Sequence, residues 1–230
     1  MNFISKVYNH IVWRYNNFIK TLKIKRMHLG HYGKGVIFSF PSVISNPKKV
    51  FFHDYCQLHR NHIIYNYTGK FVMKEYSVAS IDLLVVTGNH TPTVGIPFYS
   101  SSLSHINDKE SDVIVEEDVW IGARVTLLSG AHIGRGAVIG ANSLVNKEIP
   151  PYAVAVGSPA RIIAAKFTIE QILEHEKALY PEERRFSKEY LEELFETHYK
   201  GMRTIGTTSD LQEVGFIDFI KKNKLEYIKK

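Results

Sequence analysis

From Val115 to Pro150 the chain reads VEEDVW, IGARVT, LLSGAH, IGRGAV, IGANSL, VNKEIP, six blocks of six residues in one phase. The first position of each block holds Val115, Ile121, Leu127, Ile133, Ile139 and Val145, and the fifth holds Val119, Val125, Ala131, Ala137, Ser143 and Ile149. An aliphatic column beside a column of small or branched residues is what a three-sided coil requires. One bulky side chain per face fills the axis, and the smaller one sits near the corner. Gly122, Gly134 and Gly140 follow the first column and are expected where a corner asks for backbone angles that other residues tolerate poorly. The period therefore predicts a mainly β fold built as a coil of parallel strands.

Working outward, Phe52, Leu58 and Ile64 form an earlier set, and Val72, Val78 and Leu84 form another after a slip at Thr68-Gly69-Lys70. Continuing that set by six lands on His90, and the phase is then lost until Val115. The residues between are polar, aperiodic and contain proline, so a loop at about 91–114 is expected to leave a corner of the coil; loops of that length are usually functional. Rungs are expected from about Val36 to Ile163. Ile4, Tyr8, Ile11, Tyr15, Phe18 and Leu22 step 4-3-4-3-4, the spacing of one apolar helix stripe, with Lys6, Arg14, Lys20 and Lys23 elsewhere on the circumference. Docking of this helix on the coil or on a neighbouring subunit is favoured over contact with a membrane surface. Thr168 with Gln171 has capping-box form, Ser187 opens a second helix, and a third is expected from about Asp210 to Asn223. The division is thus an N-terminal amphipathic helix at 1–29, a coil at 30–166 and a helical extension at 167–230.

Composition narrows the function classes. The chain has 230 residues, 29 Lys and Arg against 23 Asp and Glu, and one cysteine, Cys56, which excludes an intramolecular disulfide, a zinc ribbon and an iron–sulfur cluster. No apolar run reaches the ~18–20 residues of a membrane span, so a cytoplasmic address is expected. The net charge of +6 suits an anionic ligand as well as nucleic acid. Charge alone decides little.

VWIG at 119–122, IGRGAVIGANS at 133–143 and NKEIPPYAVAVGSPARII at 146–163 resemble the hexapeptide-repeat acyltransferases, in particular their maltose/galactoside and xenobiotic acetyltransferase branches. The resemblance is strong over about 70–166 and weaker over 30–69. It implies a left-handed parallel β-helix, a homotrimer with the cofactor between coils of adjacent subunits, acetyl coenzyme A as cosubstrate, no metal and no nucleic-acid partner. The acceptor it implies is a small molecule: a sugar or nucleotide-sugar of polysaccharide biosynthesis, or an antibiotic.

The same resemblance assigns roles. His90, in VVTGNHTP, matches the catalytic histidine, and a neutral imidazole can take the proton of an attacking hydroxyl or amine. Ala123 matches a backbone oxyanion donor, and Ala141 a position where a small residue lets the pantetheine arm approach. Lys147 and Arg161 match cofactor phosphate contacts, one as a point charge and one as a fork. Where a second Arg is often found in the family the chain has Ala164, so either Lys166 substitutes for it or the phosphate is held less tightly. Asp82 and Asn89 are candidates for orienting the acceptor or His90, with Asp82 read as a second-column residue. Trp120 reads as wall and subunit contact; Phe98, Tyr99 and His105 lie on the loop. The rival readings are a zinc-dependent carbonic-anhydrase-like coil using His53, His59 and His62, and a non-catalytic scaffold.

Overall fold

The computed structural model describes residues 12, 14–15, 19, 21–210 and 213–223, with side chains as far as 219. Three parallel sheets form the three faces of a coil. Face A stacks His31–Tyr32, Val50–Phe52, Phe71–Met73, Val113–Val115 and His132–Ile133. Face B stacks Ile37–Phe38, Gln57–Leu58, Val78–Ala79, Trp120–Ile121, Val138–Ile139 and Ala153–Val156, closed by Arg161–Ala165 running antiparallel. Face C stacks Ser42–Ile44, His62–Tyr65, Leu84–Val86, Thr126–Leu128 and Leu144–Val145. The chain visits A, B and C in turn, so the coil begins near His31, slightly ahead of the expected start.

Strands this short turn successive side chains in and out, and the register shows which residues point inward. The first column stacks coil upon coil, with Phe52, Met73, Val115 and Ile133 in line, Leu58, Ala79, Ile121 and Ile139 in line, and Ile64, Val85, Leu127 and Val145 in line. All twelve are buried. The expected set Val72, Val78 and Leu84 is therefore displaced by one residue: these side chains face outward and are half-buried, while Met73, Ala79 and Val85 fill the axis. A one-residue slip exchanges the two surfaces of a strand, and aliphatic residues stand on both sides here.

Gly122, Gly134 and Gly140 have a different reason from the one expected. Their φ values are not positive; a Cβ would instead fall 2.6 Å from the Ala141 nitrogen, 2.5 Å from the Pro151 nitrogen and 2.7 Å from Val156 Cγ1. They let neighbouring coils approach. Positive φ falls on Asn61, Asp82, Arg124 and Asn142 at the corner between B and C, and on Tyr55, Tyr76, Asp118, Gly136 and Tyr152 at that between A and B.

His62 occupies the second column inside face C. Its Nδ1 lies 2.9 Å from the His59 carbonyl, which can only accept, so Nδ1 carries the proton; Nε2 is buried with no partner, and the ring stands edge-on to Phe38 at 4.7 Å. Burial pushes its pKa down, with the His59 hydrogen bond opposing. A depressed histidine contributes stability that is present above the unfolded-state value of ~6.5 and lost as pH falls below it. The thermal midpoint should fall between about pH 7 and about pH 5, and His62→Phe should flatten that slope. An unchanged slope in the variant would refute this role.

The C-terminal helices brace the last coils. Helix Ile169–Leu179 starts with the expected capping box of Thr168 and Gln171, and helix Lys188–His198 is capped by Ser187. The third helix spans Phe216–Asn223, shorter than the expected 210–223. Residues 21–27 are helical, and Ile24 and Met27, neither of them in the expected stripe, pack on the core. Tyr15 and Leu22 of the expected stripe are exposed; Ile4, Tyr8, Ile11 and Phe18 lie outside the described residues. Among the described residues no helix is long and apolar enough to cross a membrane.

Candidate active site

The long loop leaves the corner between faces C and A. It separates Leu84–Val86 from Val113–Val115 and carries a seven-residue helix, Phe98–Ser104, that its aperiodic sequence did not disclose. Its base is pinned. Glu110 accepts from the N–H groups of Thr68 and Gly69 at 2.9 and 2.6 Å and from Thr87 Oγ1 at 2.9 Å, and Asp112 accepts from the Lys70 N–H at 2.8 Å. The Lys109 N–H donates to the Asn89 carbonyl at 3.2 Å. Three donors on one carboxylate fix where the segment Gly88–His90 leaves the coil, and they help hold Glu110 below the usual carboxylate range against the cost of its burial.

His90 lies at this base, about half exposed. Its Nδ1 is 2.9 Å from Asp108 Oδ1, and His105 Nδ1 is 2.7 Å from Asp108 Oδ2. A carboxylate only accepts, so each imidazole donates through Nδ1 and presents Nε2 as a proton acceptor. The two rings are 5.9 Å apart, and Tyr67 lies 5.8 Å from His105. His105 reaches this position through a left-handed backbone, φ 52°, that ends the loop helix. The hydrogen bond from His105, then that from His90, holds the Asp108 carboxyl below its ordinary value. Asp108 thus fixes the tautomer and aim of His90, an arrangement suited to general-base work. It was not among the candidates, since nothing in a six-residue period marks an acid eighteen residues beyond His90.

The other candidates sit elsewhere. Asp82 is a corner residue, φ 62°, with Oδ2 3.6 Å from Arg124 Nε of the next coil; the second-column position is filled by Leu83, buried in the axis. Asn89 contributes its carbonyl to the loop base. Ala123 and Ala141 stack on successive coils at the corner between B and C, where the Ala123 carbonyl accepts from the Asn142 N–H at 2.9 Å. Arg161 opens the antiparallel strand on that side, exposed, while Lys147 follows Leu144–Val145 at the corner between C and A, also exposed. Within one chain a strand of face C therefore separates His90 and Lys147 from Ala123, Ala141 and Arg161. Trp120 projects outward from face B, 49% exposed. Lys166, the expected phosphate substitute, is bound instead to Asp118 at 2.8 Å.

The rival zinc set does not converge: His62 is buried with Nδ1 on the His59 carbonyl, and His53 lies 3.9 Å from Glu75. Among the described residues the group close enough to share an ion is His90, His105 and Asp108, whose ligand atoms lie within 4.8 Å of one another. Two imidazoles and a carboxylate are chemically able to bind a divalent metal, although both Nδ1 atoms are already engaged with Asp108.

The bacterial transferase hexapeptide model, of six repeats, matches residues 112–147. Chloramphenicol acetyltransferase of Klebsiella aerogenes is 43% identical over 76 residues, 33% of this chain and 36% of that protein, so the chain spans about a third of the length of the relatives it matches. A hexapeptide-repeat acetyltransferase of Vibrio cholerae, solved with acetyl coenzyme A, superposes with TM-score 0.56 at 21% identity, covering 64% of this chain and 76% of that one. A maltose O-acetyltransferase of Clostridium difficile superposes with TM-score 0.54 at 24% identity, covering 62% and 72%. The chain therefore carries the hexapeptide repeat of the bacterial transferases over residues 112–147, on the left-handed parallel β-helix shared with these solved acetyltransferases.

Proposed function

We propose that the chain is an acetyltransferase that moves an acetyl group from acetyl coenzyme A to a hydroxyl or amino group of a small acceptor, with His90 as general base. The observation that carries this reading is the pairing of His90 with Asp108 at the pinned base of the loop. Bound acetyl coenzyme A would supply a thioester, an acyl carbon with a thiol leaving group. His90 Nε2 takes the acceptor's proton as its oxygen or nitrogen bonds to that carbon, and returns it to sulfur as the carbon–sulfur bond breaks. The Ala123 N–H donates to the acyl oxygen as negative charge develops there. The small side chains of Ala123 and Ala141 leave the corner backbone open to a narrow pantetheine arm. A sugar acceptor accords with the maltose enzyme's fold, and an antibiotic acceptor with the local identity to chloramphenicol acetyltransferase.

A homotrimer completes the site. His90 and the Ala123–Ala141 corner lie at opposite ends of face C, so a neighbouring copy brings them together. The outward ladder of face C, Val43, Ile63, Leu84, Thr126 and Leu144, is largely apolar, and so is that of face B, where Ile37 and Trp120 are exposed. A closed ring covers such faces. Coil and loop then serve as one unit over 30–166, with the bracing helices in its extension at 167–230.

Lys147→Ala and Arg161→Ala test the coenzyme A assignment. Each should raise the apparent KM for acetyl coenzyme A more than it lowers kcat, because phosphate contacts are alike in the ground and transition states. Charge-assisted contacts are worth ~1.5–3 kcal/mol. Steady-state kinetics showing turnover abolished at saturating acetyl coenzyme A would refute phosphate binding.

A further inference from the structure

The positive charge is gathered at one end. Residues 1–53 carry nine of the 29 Lys and Arg and no Asp or Glu; the remaining twenty face all 23 acids, so the rest of the chain is net negative. The fold places the described part of this segment over the first coil. Ile24 and Met27 pack on the core, Lys23 Nζ lies 5.5 Å above the Phe40 ring, and the Gly30 N–H donates to the Pro47 carbonyl beside the turn Pro47–Lys49. Among the described residues, no ion pair uses Arg14, Lys25, Arg26, Lys48 or Lys49.

A second observation sets the kind of partner. The helical residues Val12, Tyr15, Ile19 and Leu22 step 3-4-3, the spacing of one helix stripe, and Arg26 continues it four residues beyond Leu22. Val12, Tyr15 and Leu22 are 37%, 64% and 37% exposed, with exposed Arg14, Lys25 and Arg26 among and beside them. A helix held by one face would ordinarily be polar on the other. Here exposed apolar residues stand interleaved with bases, a combination suited to a helix that lies in the headgroup region of an anionic bilayer.

We propose that this end of the coil docks on an anionic lipid surface, with Tyr15 and Leu22 entering the interface and Arg14, Lys25 and Arg26 meeting lipid phosphates. The charge complementarity favours anionic lipid over a second copy, whose own basic end would be repelled. The apolar stripe favours lipid over a soluble polyanion, which offers nothing to cover it. This inference stands independently of the acyltransferase reading.

Vesicle flotation with the full chain tests it, using phosphatidylcholine alone and phosphatidylcholine with phosphatidylglycerol. Binding to the anionic vesicles should exceed that to neutral ones at least about tenfold and weaken with salt. Lys25→Glu with Arg26→Glu should lower binding to anionic vesicles about tenfold or more. Tyr15→Ser with Leu22→Ser should also lower it while leaving the thermal midpoint unchanged, since the docking residues Ile24 and Met27 are kept. No binding, or equal binding to both vesicles, would overturn the proposal. So would heparin binding that the serine variant retains in full, or a change of oligomeric mass in that variant without any vesicle binding.

Discussion

Replacing His90 by alanine is expected to lower turnover on the true acceptor by about 10²–10⁴-fold while leaving assembly and acetyl coenzyme A binding intact. The imidazole is about half exposed at the mouth of the loop and fills none of the coil axis, so its loss removes a proton acceptor and no packing. Asp108→Asn should lower turnover less, because it unfixes the Nδ1–H tautomer without removing Nε2. An alanine variant with most of its turnover would dismiss His90 as the base. His105, held by the other Asp108 oxygen, would be next; His62, buried in the coil, would not.

The largest loss of stability is expected from Arg135→Ala. Arg135 Nε lies 3.2 Å from Glu117 Oε2, and Nη1 lies 3.0 Å from Glu176 Oε2 and 2.7 Å from the Arg184 carbonyl. The guanidinium also lies 4.5 Å from the Tyr180 ring and 4.6 Å from that of Phe186. Glu176 is fully buried and takes a further hydrogen bond from the Tyr152 hydroxyl at 2.7 Å. Removing the cation leaves the buried Glu176 carboxylate without a cationic partner and Glu117 with Arg184 alone, 2.7 Å away, at a cost of ~3–5 kcal/mol. Arg135→Met with Glu176→Leu should recover much of this, since it replaces that ion pair by apolar groups while Arg184 keeps Glu117 paired. Denaturant titration checks both; an Arg135→Ala midpoint equal to wild type would show that the network does not hold the C-terminal helices to the coil.

These two sites differ in how far they were legible. The axis from Val115 to Ile149 could be read directly, because each inward position recurs every six residues without interruption. Upstream, valine and leucine stand on both sides of the strands at 71–86, and only the hydrogen-bonded register separates Met73 from Val72. Gly122, Gly134 and Gly140 stand out in sequence, yet only the stacked coils show that contact, not backbone angle, requires them. The position of His90 at the break in the period was visible. Asp108 was not, because its role depends on how a serine-rich loop helix folds back. The charged residues Arg135 and Glu176 resemble surface residues until the C-terminal helix covers them.

Subunit complementation tests the central claim most directly: His90 of one subunit is proposed to work on coenzyme A held at the Ala123–Ala141 corner of its neighbour. His90→Ala and Ala141→Trp, the latter filling the corner, should each abolish most turnover alone. Refolding the two variants together should form mixed interfaces in which an intact His90 meets an intact corner, and acetyl transfer should return to a substantial fraction of the wild-type rate. A mixture no more active than its components, with mixed assemblies demonstrated by mass, would contradict a site shared between subunits.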